Sequence, residues 1–133
     1  MSQQNVETFR RVVDAWNQRD EDLAVSYMAA DVEWSPAGPA AVERSVYRGH
    51  DECSRGFAAV WDTWERFHFD EAEVRDLGDS VLWLGRVQMR GKTSQVELDQ
   101  EFAHYATLAD GKVVRAHAFL DWQDALEAAG VSE

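Results

Sequence analysis

QVELDQEFAHYATLADGKVVRAHAFLDWQDALEAAG, residues Gln95–Gly130, reads as strand, tight turn, strand and short helix. Asp110-Gly111 stands between two apolar-patterned runs, a strong local signal for a two-residue hairpin. Before the turn, Val96, Leu98, Phe102 and Ala106 alternate with Glu97, Asp99, Glu101, Tyr105 and Thr107. After it, Val114, Ala116, Ala118 and Leu120 alternate with Val113, Arg115, His117 and Phe119. Apolar residues fall on both faces, so both faces need cover. Trp122 to Ala129 comes next as a helix, stopped by Gly130.

Upstream, Phe67 to about Leu77 and Ser80 to Arg90 read as strands meeting at Gly78-Asp79, and Gly91–Ser94 turns into the hairpin. Earlier still, Val6, Phe9, Val12, Val13 and Trp16 lie on one stripe of a helix from Asn5 to about Arg19. A polar break from Asn17 to Asp22 starts a second helix with Leu23, Ala24, Tyr27 and Met28 inside, and Asp31–Trp34 reads as a short strand. Both prolines fall in residues 36–48, which read either as a lid over a cavity or as a connecting loop. A third helix, from His50 or Asp51 to Arg66, carries the stripe Cys53, Phe57, Val60, Trp61 and Trp64. Three helices with an early strand, four sequential antiparallel strands and a last helix make one α+β domain over residues 1–133.

At 133 residues the chain can bury a real core. Its net charge of −12 argues against nucleic acid and anionic membrane partners, which need clustered Lys and Arg. No leader or membrane-length apolar run is read, so the cytoplasm is expected. The single cysteine, Cys53, sits on an apolar helix face and reads as a buried small hydrophobe. His50, His68, His104 and His117 lack chelating spacing, so neither a metal site nor a cofactor is expected.

This order, with AWNQRDEDLAVSYMAADVEWSP near the start and ADGKVVRAHAFLDWQDALEAAG near the end, resembles the nuclear transport factor 2-like superfamily, its SnoaL-like branch above all. The resemblance implies a cone-shaped fold: a curved antiparallel sheet wrapped around three N-terminal helices, with one deep pocket and a short C-terminal helix. Relatives include steroid delta-isomerases, limonene epoxide hydrolases and polyketide cyclases, so activity has to be argued from the site. Where the isomerases carry a tyrosine, a base aspartate and a protonated aspartate, this chain has Val12, Ser35 and Ala103, none able to serve. Of the epoxide hydrolase pattern Arg86 matches, but Gln88 and Ala118 stand where acids belong. Ala118 counts against the cyclase pattern too.

Carried along the strands, these matches put Asp99, Glu101, Ala103, Tyr105, Ala116, Ala118 and Leu120 on the pocket face, with Leu82, Leu84, Arg86 and Gln88 beside them. Trp16, Tyr27, Trp34, Trp61 and Trp64 complete an apolar, aromatic pocket. Two functions are then open. One is a non-catalytic protein binding a small apolar molecule. The other is an isomerase, cyclase, hydrolase or dehydratase type of enzyme, with Arg86 polarising an oxygen, Asp99 or Glu101 as acid/base and Tyr105 as donor. Arg86 also reads as a plain ion-pair partner of Asp99 or Glu101. The opposite parity, with Trp83, Val87, Leu98, Phe102, His104, His117 and Phe119, reads as a broad outer apolar face that a homodimer would cover.

Overall fold

The computed structural model describes residues 2–38, 41 and 44–131, with Ser2 as backbone only. Positions 39, 40, 42 and 43 belong to the loop read as a lid or connector, which to that extent lies outside the described residues. The elements are α1 (Ser2–Asn17), α2 (Glu21–Ser26), β1 (Met28–Ser35), β2 (Tyr47–Arg48), α3 (Gly49–Thr63), β3 (Trp64–Asp76), β4 (Ser80–Gly91), β5 (Glu97–Ala109), β6 (Lys112–Phe119) and α4 (Trp122–Ala129). They build an α+β fold on one curved sheet in the order β2-β1-β6-β5-β4-β3. The four later strands run antiparallel in sequence, as expected. The early strand is longer than expected and lies parallel to β6, with Trp34 opposite Ala116. No helix among the described residues is long and apolar enough to cross a membrane.

The α1 stripe is buried from Phe9 through Trp16, because the helix lies on the concave face of the sheet. Its last residue fixes it there. The Asn17 side chain donates to the Phe69 carbonyl at 3.0 Å and accepts from the Phe69 N–H at 2.8 Å. That satisfies one residue of β3, an edge strand that would otherwise offer unpaired groups. Arg19 donates to the carbonyls of Trp61, Trp64 and Glu65, where α3 has run out of helical partners. Trp64 turns extended, so α3 ends at Thr63 and not at Arg66.

The hairpin turn is as read, with positive φ at Asp110 (53°) and Gly111 (76°), the pair a type I′ turn demands. The register of the strand beyond it differs from the expectation. Ala109 pairs with Lys112 and Leu108 with Val113, but Thr107 pairs with Arg115, so Val114 is an extra residue and the register shifts. Without that bulge Ala103 would oppose Ala118. With it, His104 opposes Ala118 and Ala103 opposes Phe119.

One slip reverses every side chain beyond it. Trp83, Val87, Met89, Phe102 and Ala106 therefore join the main core beneath α1 and α3. Leu82, Leu84 and Ala103 form a second cluster under Ala125 and Leu126 of α4. The helix is capped by Asp121, which accepts from the Asp124 N–H at 2.8 Å, and closed by Gly130 at φ 70°. Trp122 secures it, donating its indole N–H to the Gly85 carbonyl at 2.9 Å. Gly85 itself has no room for a side chain, since a Cβ would run into the Asp70 carbonyl oxygen and the Trp83 ring.

Candidate functional site

A cavity lies between the helices and the concave face of the sheet. Trp16 comes from α1, Trp34 from β1 and Pro36 from just beyond it. Phe57, Val60 and Trp61 come from α3, Phe67 and Phe69 from β3, Phe102 and His104 from β5, and Ala118 from β6. Its volume is about 20 Å³, enough for a water molecule or so. A ring-sized ligand needs part of the wall to move outward, and Trp61 and Pro36 are the described lining residues that are only half-buried.

His104 is 2% exposed and ringed by aromatic side chains. Its ring centroid is 5.1 Å from Trp16, 5.1 Å from Phe102, 5.2 Å from Phe69, 5.3 Å from Trp83 and 5.5 Å from Phe9. Burial pushes its pKa down from 6.5 to about 3, so the imidazole is neutral at ordinary pH. Neither ring nitrogen has a hydrogen-bond partner among the described residues, and the same holds for the indole N–H groups of Trp16, Trp61 and Trp83. Orphans of this kind cost roughly 1–3 kcal/mol each, so a cluster of them calls for an explanation. None of the described lining residues is ionised, so the wall suits an uncharged group with a hydrogen-bonding atom.

Of the residues read from the sequence as pocket-lining, Trp16, Trp34, Trp61 and Ala118 do line this cavity. Tyr27 and Trp64 pack against the main core away from its lining. Leu84 and Ala103 lie under α4, and Tyr105 packs beside them. Leu120 is 45% exposed and leans over Gly38. Arg86 and Gln88 are on the outer face of the sheet. There Arg86 donates to the Asp99 carboxylate at 2.7 Å, with about half of each side chain open to solvent, and Gln88 accepts from Arg66 at 2.9 Å. Glu101 accepts the Trp122 N–H at 3.0 Å and so serves the start of α4.

The face expected to carry a homodimer is corrected in the same way. Trp83, Val87, Phe102 and His104 are interior, at most 2% exposed, so these residues do not form an outer apolar patch. Leu98, His117 and Phe119 keep surface, with His117 stacked on Phe119 at 4.7 Å. Ala103 and Ala118, both expected to face the pocket, point to opposite faces, because the Val114 bulge sets His104 and not Ala103 opposite Ala118. Phe57, Phe67, Phe69, Phe102 and His104 were missed as lining. Side-chain size held a clue, because Trp83, Val87, Met89 and Phe102 share one parity, whereas Arg86, Gln88, Asp99 and Glu101 share the other.

Cys53 is fully buried, with its thiol pushed up to about 12 by desolvation first and the Glu52 charge second, and is no nucleophile there. His50 contacts the Met28 carbonyl at 2.8 Å, and His68 sits 3.2 Å from Asp70. Among the described residues no three His, Cys, Asp or Glu side chains gather as metal ligands.

Several solved structures share this fold. TerC, crystallised with polyporic acid, shares 24% identity over 94% of this chain and 96% of its own, with a TM-score of 0.78. A hypothetical protein with a ketosteroid isomerase-like fold from Catenulispora acidiphila, in complex with trimethylamine, shares 14% over 95% and 94%, with a TM-score of 0.77. A putative polyketide cyclase from Xanthomonas campestris pv. campestris shares 16% over 92% and 94%, with a TM-score of 0.78. At such identities the likeness is one of fold. No curated protein matches this chain. The family model described as the SnoaL-like domain matches residues 9–116, most of the chain and nearly all of its sheet. On that match, and with the curved six-stranded sheet just described, this chain belongs to the SnoaL-like domain family, with the nuclear transport factor 2-like fold.

Proposed function

We propose that the chain is a cytoplasmic small-molecule-binding protein whose ligand, uncharged and largely apolar, occupies the aromatic cavity between α1, α3 and the concave face of the sheet. One observation carries this reading: Trp16, Trp61 and His104, which line an otherwise apolar cavity, hold polar side-chain atoms without partners among the described residues. Polar atoms left without partners in a dry region mark a place where a ligand or a water molecule completes the bonding. TerC and the Catenulispora protein were each crystallised with a small organic molecule, which is in keeping with a small-molecule site in this fold. An enzyme working through Arg86 with Asp99 or Glu101 finds less support. Arg86 and Asp99 are tied in an exposed pair on the far face, and Glu101 is engaged by α4.

The test uses the cavity's own tryptophans. Toluene, a neutral ring, should change the emission of the protein saturably, because Trp16, Trp34 and Trp61 line the site. Ala118→Leu, which fills the floor, should weaken the response at least tenfold. An emission unchanged at toluene saturation removes the reading.

A further inference from the structure

Three residues that line the cavity, Trp16, Trp61 and His104, carry side-chain polar atoms without partners among the described residues, and donors outnumber acceptors among them. Trp16 and Trp61 each present an N–H that has no partner among the described residues. The imidazole of His104 carries one N–H and one bare nitrogen, and that bare nitrogen is the one good acceptor its side chains offer. An ether or carbonyl oxygen on a ligand can take a hydrogen bond from the indoles, yet it leaves the bare nitrogen alone in a dry site. A hydroxyl satisfies both at once, because its hydrogen goes to the imidazole and its lone pair takes a donor. Trp16, 5.1 Å from His104 centroid to centroid, is the lining donor whose ring packs against the imidazole.

Taking the cavity reading as its premise, we propose that His104 is the specificity-determining residue of the site, its bare ring nitrogen accepting the O–H of an uncharged ring alcohol or phenol while Trp16 Nε1–H donates to the same oxygen. Charge is excluded from the ligand end, since none of the described lining residues is ionised. The ring of the ligand lies among Trp34, Phe57 and Trp61. A water molecule can satisfy the same polar atoms when no ligand is bound, and the ligand hydroxyl then replaces it.

Phenol, anisole and toluene separate the possibilities, titrated into the intact protein at pH 7.5 with tryptophan emission and imidazole 15N resonances as readouts. Phenol should bind about tenfold tighter than anisole, the worth of one hydrogen bond in a dry site. The bare-nitrogen resonance of His104 should move with phenol and stay with anisole. His104→Leu should bring the two probes within twofold of each other while toluene still binds. If that variant does not fold, the two wild-type measurements decide alone. Equal binding of phenol and anisole, or an imidazole resonance that phenol does not move, overturns the role of His104 and leaves the cavity standing. No saturable signal from any of the three probes overturns the cavity and this role together.

Discussion

Replacing His104 by leucine should abolish an acid sensitivity that the fold has built into its centre. In the folded chain burial holds the imidazole pKa near 3, and in the unfolded chain it returns to 6.5. Between those values the unfolded state binds the extra proton, so the stability owed to a neutral His104 is complete above about pH 6.5 and is lost as pH falls through that window. At pH 5 the loss is about 2 kcal/mol relative to pH 8, and by pH 3 it reaches about 4 kcal/mol. The figure at pH 5 depends almost wholly on the unfolded value, since any folded pKa below about 4 gives the same answer. Leucine is close in volume, takes no proton and leaves no orphan nitrogens, so at pH 8 the variant should equal or exceed the wild type. Urea unfolding followed by tryptophan emission at pH 8 and pH 5 gives both differences, and all other titrating groups cancel between the two proteins. Parallel loss of stability in wild type and variant would refute a buried neutral imidazole.

Gly85→Ala tests the tight crossing of β3, β4 and Trp122, where a Cβ collides with backbone; the expected loss exceeds about 3 kcal/mol in denaturant unfolding. Arg86→Met should cost no more than roughly 1 kcal/mol in a thermal melt, as for an exposed ion pair, and should leave toluene binding unchanged. A lost toluene response in that variant would bring Arg86 back into the site.

The stretch Gln95–Gly130 announces its turn, its second strand and its capped helix plainly, because each rests on local chemistry. Asp110-Gly111 takes the turn, Asp121 and Gly130 bound the helix, and Ala116 and Ala118 face inward as read. The need for cover on both faces was also legible, and α4 supplies part of it over Leu82, Leu84 and Ala103. The single extra residue at Val114 was hidden. A bulge leaves no mark in an apolar pattern when both faces are apolar, yet it exchanges the inside of β4 and β5 for the outside. Trp16, Trp34 and Trp61 line the cavity, and helix periodicity and a short early strand locate them without reference to that register. The face of His104 does depend on it, so a core residue read as an interface one.

The pairing of β1 with β6 bears on how the chain can be made. Residues near 30 have their sheet partners near 115, so an emerging polypeptide holds its first three helices with no finished floor to lie on. The core-facing side of α1, from Phe9 to Trp16, stays open until β3 to β6 have left the ribosome. Folding of this domain is therefore a late event in its synthesis, governed by contacts distant along the chain. Until β6 arrives, the stripe of α1 is apolar surface open to water and to misplaced contacts.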